Sequence, residues 1–186
     1  QLYLGNVDYI YVKKEMAGKA VTDFRVIRNN KLASNLHLLV LEGSDTLLPV
    51  APGQFVNVEI PGNKEVFLRR PFSLFHVDHG QNSLSLLVKI LGKGSLTLSK
   101  VQPGDQLSLV YPLGKGFTMP LQGENVLAVG GGSGIAPLLF LSAKSGLPPD
   151  HFTLLMGARS KSDHISAEEF TAFAGCFFST EDGSWG

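Results

Sequence analysis

The run Leu68-Arg69-Arg70-Pro71-Phe72-Ser73-Leu74-Phe75 sets an arginine, an aromatic ring and a hydroxyl in alternation. It reads as a strand, so Arg70 and Phe72 share one face, and Ser73 takes the other beside Pro71, which has no backbone N–H. A guanidinium suits a phosphate, a ring suits a ring, and a hydroxyl bonds a heteroatom. A phosphorylated aromatic cofactor would use all three. A charged, proline-blunted edge strand would carry the same residues.

Two glycine-rich turns extend this chemistry. The first follows the apolar run Leu87-Val88-Lys89-Ile90-Leu91 and reads Gly92-Lys93-Gly94-Ser95. Ser95 is expected to be the N-cap of a helix whose free N–H groups, near lysine charge, can hold a pyrophosphate. A surface turn with a short helix is the competing reading. The second turn is Gly130-Gly131-Gly132-Ser133-Gly134, between the strand-like Val126–Val129 and Ile135-Ala136-Pro137-Leu138. Proline in a first helical turn and apolar residues behind it mark a helix start. Strand, glycine turn and helix form the setting of a dinucleotide site. The spacing is neither Gly-x-Gly-x-x-Gly nor a Walker A loop.

Short strands must position these residues. Alternation and turn signals predict strands at Val21–Ile27, Leu36–Leu41, Phe55–Ile60, around Arg70, at Leu84–Ile90 and at Gln106–Tyr111. Arg28-Asn29-Asn30-Lys31 is expected as a polar turn. Six short strands separated by turns suggest a closed antiparallel barrel. Beyond Gly123 the pattern alternates. Strand Val126–Val129, helix Ala136–Ser145, strand Phe152–Met156, a helix at Ala167–Ala174 and strand Cys176–Ser179 predict a parallel sheet. The expected fold is therefore a β barrel followed by an α/β unit. Residues 1–20 are set apart as an extension of unassigned role, 21–122 as the barrel and 123–186 as a nucleotide-binding domain incomplete on its C-terminal side.

Composition narrows the classes. The 186 residues hold 16 basic and 16 acidic side chains, which offers no charge for nucleic acid or an anionic membrane. No apolar run reaches membrane-span length, and no signal-peptide pattern opens the chain. Cys176 is the single cysteine, so a disulfide framework is excluded and a cytoplasmic location is expected. His76 and His79 read as solvated residues. Asp163 and His164 invite a catalytic-dyad reading, but hydride transfer needs no such pair, and helix capping by Asp or Ser is the expected role there.

Arg70-Pro71-Phe72-Ser73, Gly92-Lys93-Gly94-Ser95 and Gly130-Gly131-Gly132-Ser133-Gly134-Ile135-Ala136-Pro137-Leu138 together resemble the ferredoxin–NADP reductase superfamily. Within it the chain is most similar to the electron-transfer subunits of class B dihydroorotate dehydrogenases. The more specific matches are the doubled arginine, Pro112-Leu113-Gly114-Lys115-Gly116-Phe117 and Thr180-Glu181-Asp182-Gly183-Ser184-Trp185-Gly186. The resemblance runs from about Phe24 to the last residue and implies a flavin barrel followed by a nicotinamide-binding domain.

The resemblance also implies roles. Arg70 would pair with the FAD pyrophosphate. Pro71 and Phe72 would pack along the flavin, with Phe72 where many relatives carry tyrosine. Ser73, the catalytic candidate, would serve flavin N5. Leu87, Val88 and Lys89 would line the flavin and adenosine path, and Gly94 and Ser95 would meet phosphate. NAD(H) would lie over Gly131, Gly132, Ser133 and Gly134, with Gly157, Arg159, Thr180 and Asp182 at the following strand ends. A [2Fe–2S] cluster is implied for the full-length protein but not for this segment, and no metal ligand is assigned. The implied partner is an FMN-containing catalytic dihydroorotate dehydrogenase subunit in a heteromeric complex. The rivals are an NADPH-linked ferredoxin or sulfide reductase subunit and a redox-inactive docking module. Retention of Arg70, Ser73 and the glycine turns argues against the docking module.

Overall fold

The computed structural model describes residues 18–62, 66–164 and 175–186. Six strands close into an antiparallel barrel: β1 (Ala20–Ala33), β2 (Leu36–Gly43), β3 (Phe55–Val58), β4 (Arg70–Asp78), β5 (Ser83–Lys89) and β6 (Gln106–Leu113). Their order around the barrel is β1-β2-β5-β4-β3-β6, and β1 closes it by pairing with both β2 and β6. Alternation fills the interior. Phe24 and Val26 from β1, Leu84, Leu86 and Val88 from β5, and Leu107, Leu109 and Tyr111 from β6 are buried in one cluster. Helix α1 (Lys93–Leu98) follows β5 and sends Leu98 into the same cluster.

The predicted break at Arg28–Lys31 is not a turn. Strand β1 continues through it, pairing Asn29 with Leu39 and Lys31 with His37. The polar residues have partners there. Asn29 Nδ2 donates to Ser99 O (3.0 Å) and Val101 O (2.8 Å), and His37 Nδ1 donates to Asn29 Oδ1 at 2.9 Å. This network ties the C-terminal end of α1 to the barrel. Burial, reinforced by Lys31, pushes the His37 pKa below its ordinary value, which favours the neutral ring.

The second unit is a parallel sheet ordered β7-β8-β9: β7 (Val126–Gly131), β8 (Phe152–Ala158) and β9 (Gly175–Thr180). Helix α2 (Ala136–Ser145) links β7 to β8, with proline in its first turn as expected. The helix expected at Ala167–Ala174 lies outside the described residues. Ala128, Leu154, Met156, Ala136 and Leu139 are buried together, joined by Leu36 and Leu87 from the outer face of the barrel. Phe140 of α2 joins the barrel cluster instead. The two units are thus packed against each other through β2, β4, β5 and α2, and this contact sets the geometry of the site. The opposite sheet face exposes Leu127, Val129 and Phe177. Among the described residues, no helix is long and apolar enough to cross a membrane.

Candidate functional site

Period-two alternation on β5 decides which of its residues can meet a ligand. Leu86 and Val88 point into the barrel, while Leu87 and Lys89 point outward. Leu87 is covered by the second unit. Lys89 is left at the junction. Val88, expected along the cofactor path, is wholly buried in the barrel core, so its side chain cannot line that path.

Three cavities surround the junction, and Lys89 and Leu91 line all of them. The first, about 490 Å³, lies on the barrel between Arg70, Pro71 and Phe72 of β4 and Gly92, Lys93, Gly94 and Ser95 of α1. Phe72 also packs against the barrel core, so its ring is held while one surface faces the cavity. Gly94 faces Arg70 across this wall. A Cβ there would stand 3.4 Å from Arg70 Cγ and Nε. Among the described residues the Arg70 guanidinium has no carboxylate partner, and it faces a cavity without an acidic wall. The neighbouring Arg69 has a different job. It donates to Glu59 (2.7 Å), Ser108 O (2.6 Å) and Ser108 Oγ (3.0 Å), pinning the approach to β4 onto β6.

Ser95 is not the N-cap that the sequence suggested. Gly92 caps α1, and Ser95 stands one turn further in. Its Oγ accepts from Leu91 N–H (2.9 Å) and Gly92 N–H (3.2 Å) and donates to Gly92 O (3.1 Å). The hydroxyl thus shapes the turn and shares the cavity wall with Gly94.

The second cavity, about 220 Å³, is the junction itself, formed by Pro71, Phe72, Ser73 and Leu87 on the barrel side and Ser133, Gly134 and Ala136 on the other. Ser73 takes the strand face opposite Arg70 and Phe72, and it pairs with Phe55 across β3.

The third cavity, about 490 Å³, runs over the C-terminal ends of the parallel strands. Gly131, Gly132 and Ser133 follow β7, Gly157, Ala158 and Arg159 end β8, and Ser179, Thr180 and Glu181 end β9. This is the edge at which open α/β sheets bind ligands. Gly132 has φ +53°, and a Cβ on it would meet Lys89 Nζ at 3.2 Å. The turn therefore needs both the left-handed backbone and the missing side chain. Gly130 serves packing, because a Cβ there would sit 2.8 Å from Leu138 Cδ1 of α2.

Most of the expected site residues meet on these walls. Asp182 does not. Its carboxylate accepts from Ser184 N–H (2.9 Å) and Ser184 Oγ (2.6 Å). Those bonds, the Ser184 hydroxyl first, hold its pKa below the usual carboxylate range. Thr180 Oγ1 is engaged too, donating to Trp185 O and accepting from Trp185 N–H, both at 2.9 Å. Trp185 in turn stacks on Phe178 at 4.4 Å, with His164 edge-on to both rings. The wall residue overlooked between Thr180 and Asp182 is Glu181. Leu91 was also overlooked, although its place straight after the Lys89 strand was a usable signal.

Three properties of this surface fit a flavin dinucleotide beside a second nucleotide: on each side a cation with no carboxylate partner among the described residues, glycines along both cavity walls, and a shared junction bearing Ser73. Known proteins agree with the geometry. The electron transfer subunit of dihydroorotate dehydrogenase B (NAD(+)) from Desulforamulus reducens is 35% identical over 167 residues, 89% of this chain and 64% of that protein. The subunit of the same name from Bacillus caldolyticus is 35% identical over 157 residues, 83% of this chain and 61% of that protein. The chain thus spans less than two thirds of the length of these relatives. Among solved structures, an NADH-dependent reduced ferredoxin-NADP oxidoreductase superposes with a TM-score of 0.73 at 27% identity, covering 92% of this chain and 60% of that one. The Amycolatopsis cytochrome P450 reductase shares the fold, with a TM-score of 0.73 at 22% identity over 87% of this chain and 51% of its own. A family model described as the oxidoreductase FAD-binding domain matches residues 23–117, more than half of the chain. The chain belongs to the oxidoreductase FAD-binding domain family.

Proposed function

We infer that this chain is the flavin- and nicotinamide-binding part of an electron-transfer subunit that passes electrons between NAD(H) and a partner dihydroorotate dehydrogenase. The carrying observation is the junction at Lys89 and Leu91, which line both the cavity on the barrel and the cavity on the strand ends and also the junction cavity that holds Ser73. Residues 21–122 serve as the flavin domain and 123–186 as the nicotinamide domain. FAD supplies hydride and single-electron exchange when bound. The protein's own residues do the rest. Arg70 offers a fork of donors to the pyrophosphate, aided by Gly94 and Ser95 at the α1 turn. Phe72 and Pro71 give the flavin a packing surface. Leu87 gives the junction a buried apolar wall. Gly131, Gly132, Ser133 and Gly134 present backbone N–H groups to the nicotinamide cofactor's diphosphate, with Lys89 as counter-charge.

Ser73 is assigned the hydrogen bond to flavin N5. Its hydroxyl has no hydrogen-bond partner among the described residues, and it faces the junction where both cofactors would meet. Ser73→Ala is expected to slow NADH-driven flavin reduction roughly 2- to 10-fold, the scale of one neutral hydrogen bond, with FAD content unchanged. Stopped-flow reduction under anaerobic conditions checks this, and an unchanged rate removes Ser73 from the mechanism.

A [2Fe–2S] centre needs about four cysteine ligands in its common form, and Cys176 is the only cysteine here. The residues present do not fit such a cluster. The single cysteine accords with work in the cytoplasm. The relatives are named as electron transfer subunits of dihydroorotate dehydrogenase B, which supports a catalytic dihydroorotate dehydrogenase subunit as partner, and we propose that this partner holds FMN. A second reading, a ferredoxin reductase subunit, draws on the 27% identity to the NADH-dependent reduced ferredoxin-NADP oxidoreductase. The deciding experiment co-expresses the full-length protein with its catalytic partner and assays dihydroorotate-dependent NAD reduction. Activity supports the first reading. Absence of that activity, with ferredoxin reduction in its place, supports the second.

A further inference from the structure

We propose that the C-terminal end of β6 carries a separate ligand site for a flat organic dianion, of the class of aromatic dicarboxylates. It does not depend on the electron-transfer reading given above.

The site is a cavity of about 500 Å³, within the range of roughly 300–1,000 Å³ usual for small-molecule sites. It shares no wall residue with the three cavities at the junction. Two loops build it: one runs from Pro49 to Gln54 into β3, and the other from Pro112 to Phe117 at the end of β6. Bonds between them fix the shape. Phe117 N–H donates to Pro52 O at 2.8 Å. Gln54 spans both loops, since its Nε2 donates to Gly114 O (3.1 Å) while its Oε1 accepts from Ala51 N–H (2.8 Å). The loops touch so closely that a Cβ on Gly116 would stand 2.8 Å from Ala51 Cβ. The buried Tyr111 anchors the first loop, accepting from Leu48 N–H at 3.2 Å. The cavity is therefore formed before a ligand arrives, which lowers the cost of binding.

Its walls combine two chemistries. Val50 and Phe117 give an apolar surface. Val50 also packs on the barrel core, whereas the Phe117 ring is 42% exposed. Lys19, Lys115 and, in the β4–β5 turn, His79 add cationic or donor groups, and no carboxylate lines the wall. Among the described residues neither lysine has an ion-pair partner. The chain as a whole carries equal numbers of basic and acidic side chains, so this local excess is not a general surface property. Two ammonium groups match two carboxylates, and an exposed ring beside them matches a flat apolar body. A bare inorganic anion would leave the ring uncovered.

The test is calorimetric titration of the FAD-loaded, full-length protein, saturated with NAD+, with phthalate and with succinate. Succinate carries the two charges without the ring. The parent should bind a single phthalate about fivefold or more tighter than succinate. Lys19→Gln and Lys115→Gln should each weaken phthalate about tenfold, the low end for a charge-assisted bond. Both lysines are exposed, so neither change threatens folding. Phe117→Ala should bring phthalate down to the level of succinate. Phe117→Leu, which keeps apolar bulk against the loop, should fall between and serves if the alanine variant does not fold. FAD content should be the same in every folded variant. Absence of phthalate binding at millimolar concentration overturns the site. So does binding that both lysine variants leave within twofold, or binding seen only when NAD+ is omitted, which belongs to the strand-end groove. Equal affinity for phthalate and succinate overturns the assignment of a flat ligand.

Discussion

Gly132→Val should reduce kcat/KM for NADH by roughly 30- to 1000-fold while leaving the flavin in place. Two costs add. Gly132 holds φ +53°, where a β-branched residue is strained by about 1–2 kcal/mol. Its Cβ would also stand 3.2 Å from Lys89 Nζ, and the added methyl groups would push the ammonium out of the junction. Lys89 Nζ ends a flexible side chain and swings aside cheaply, so the second cost is the lost counter-charge to the diphosphate, about 1.5–3 kcal/mol for a charge-assisted bond. The barrel core does not include Gly132, so FAD content and the thermal midpoint of the barrel should hold. Anaerobic stopped flow with NADH, beside a flavin-to-protein ratio, measures both quantities. Normal NADH oxidation by the variant would reduce the glycine turn to a packing feature.

The second large effect concerns Arg70. Arg70→Ala should weaken FAD retention by about 1.5–3 kcal/mol, the range for a charge-assisted hydrogen bond, or roughly 10- to 150-fold in Kd. Arg70→Lys should fall between, since an ammonium keeps the charge and loses the fork. Stability should change little, because among the described residues the Arg70 guanidinium has no ion-pair or hydrogen-bond partner to lose. Arg69 makes the contrast. Arg69→Ala breaks bonds to Glu59 and Ser108 that hold the entrance to β4, so any FAD loss there should come with a lower thermal midpoint. Equal FAD content in Arg70→Ala and parent after gel filtration would remove Arg70 from the flavin site.

The barrel was legible because each short strand carries its own alternation, and a chain that closes a sheet repeats that pattern between turn residues. Where partners lie far along the chain, local reading failed. Asn29 looked like turn polarity, yet its amide is satisfied by Ser99 and Val101. Ser95 looked like a cap because it opens an apolar stretch, whereas Gly92 takes that position and Ser95 reaches back to it. Val88 was expected on the cofactor path from the family resemblance. Alternation alone would have sent it to the core, so that signal was present and overruled. The end of β9 was the hardest to read. Thr180, Glu181 and Asp182 all carry oxygen ligands, and only the turn through Ser184 and Trp185 shows which are already occupied.

The meeting of two nucleotide sites at Lys89 and Ser73 is most directly tested by anaerobic titration of the purified full-length protein with NADH, followed through the flavin absorption band. The account predicts one FAD per chain and bleaching of that band by stoichiometric NADH, with Gly132→Val retaining FAD yet resisting the bleach. A protein that carries no flavin after reconstitution, or a flavin that NADH leaves oxidised in the parent, would contradict it.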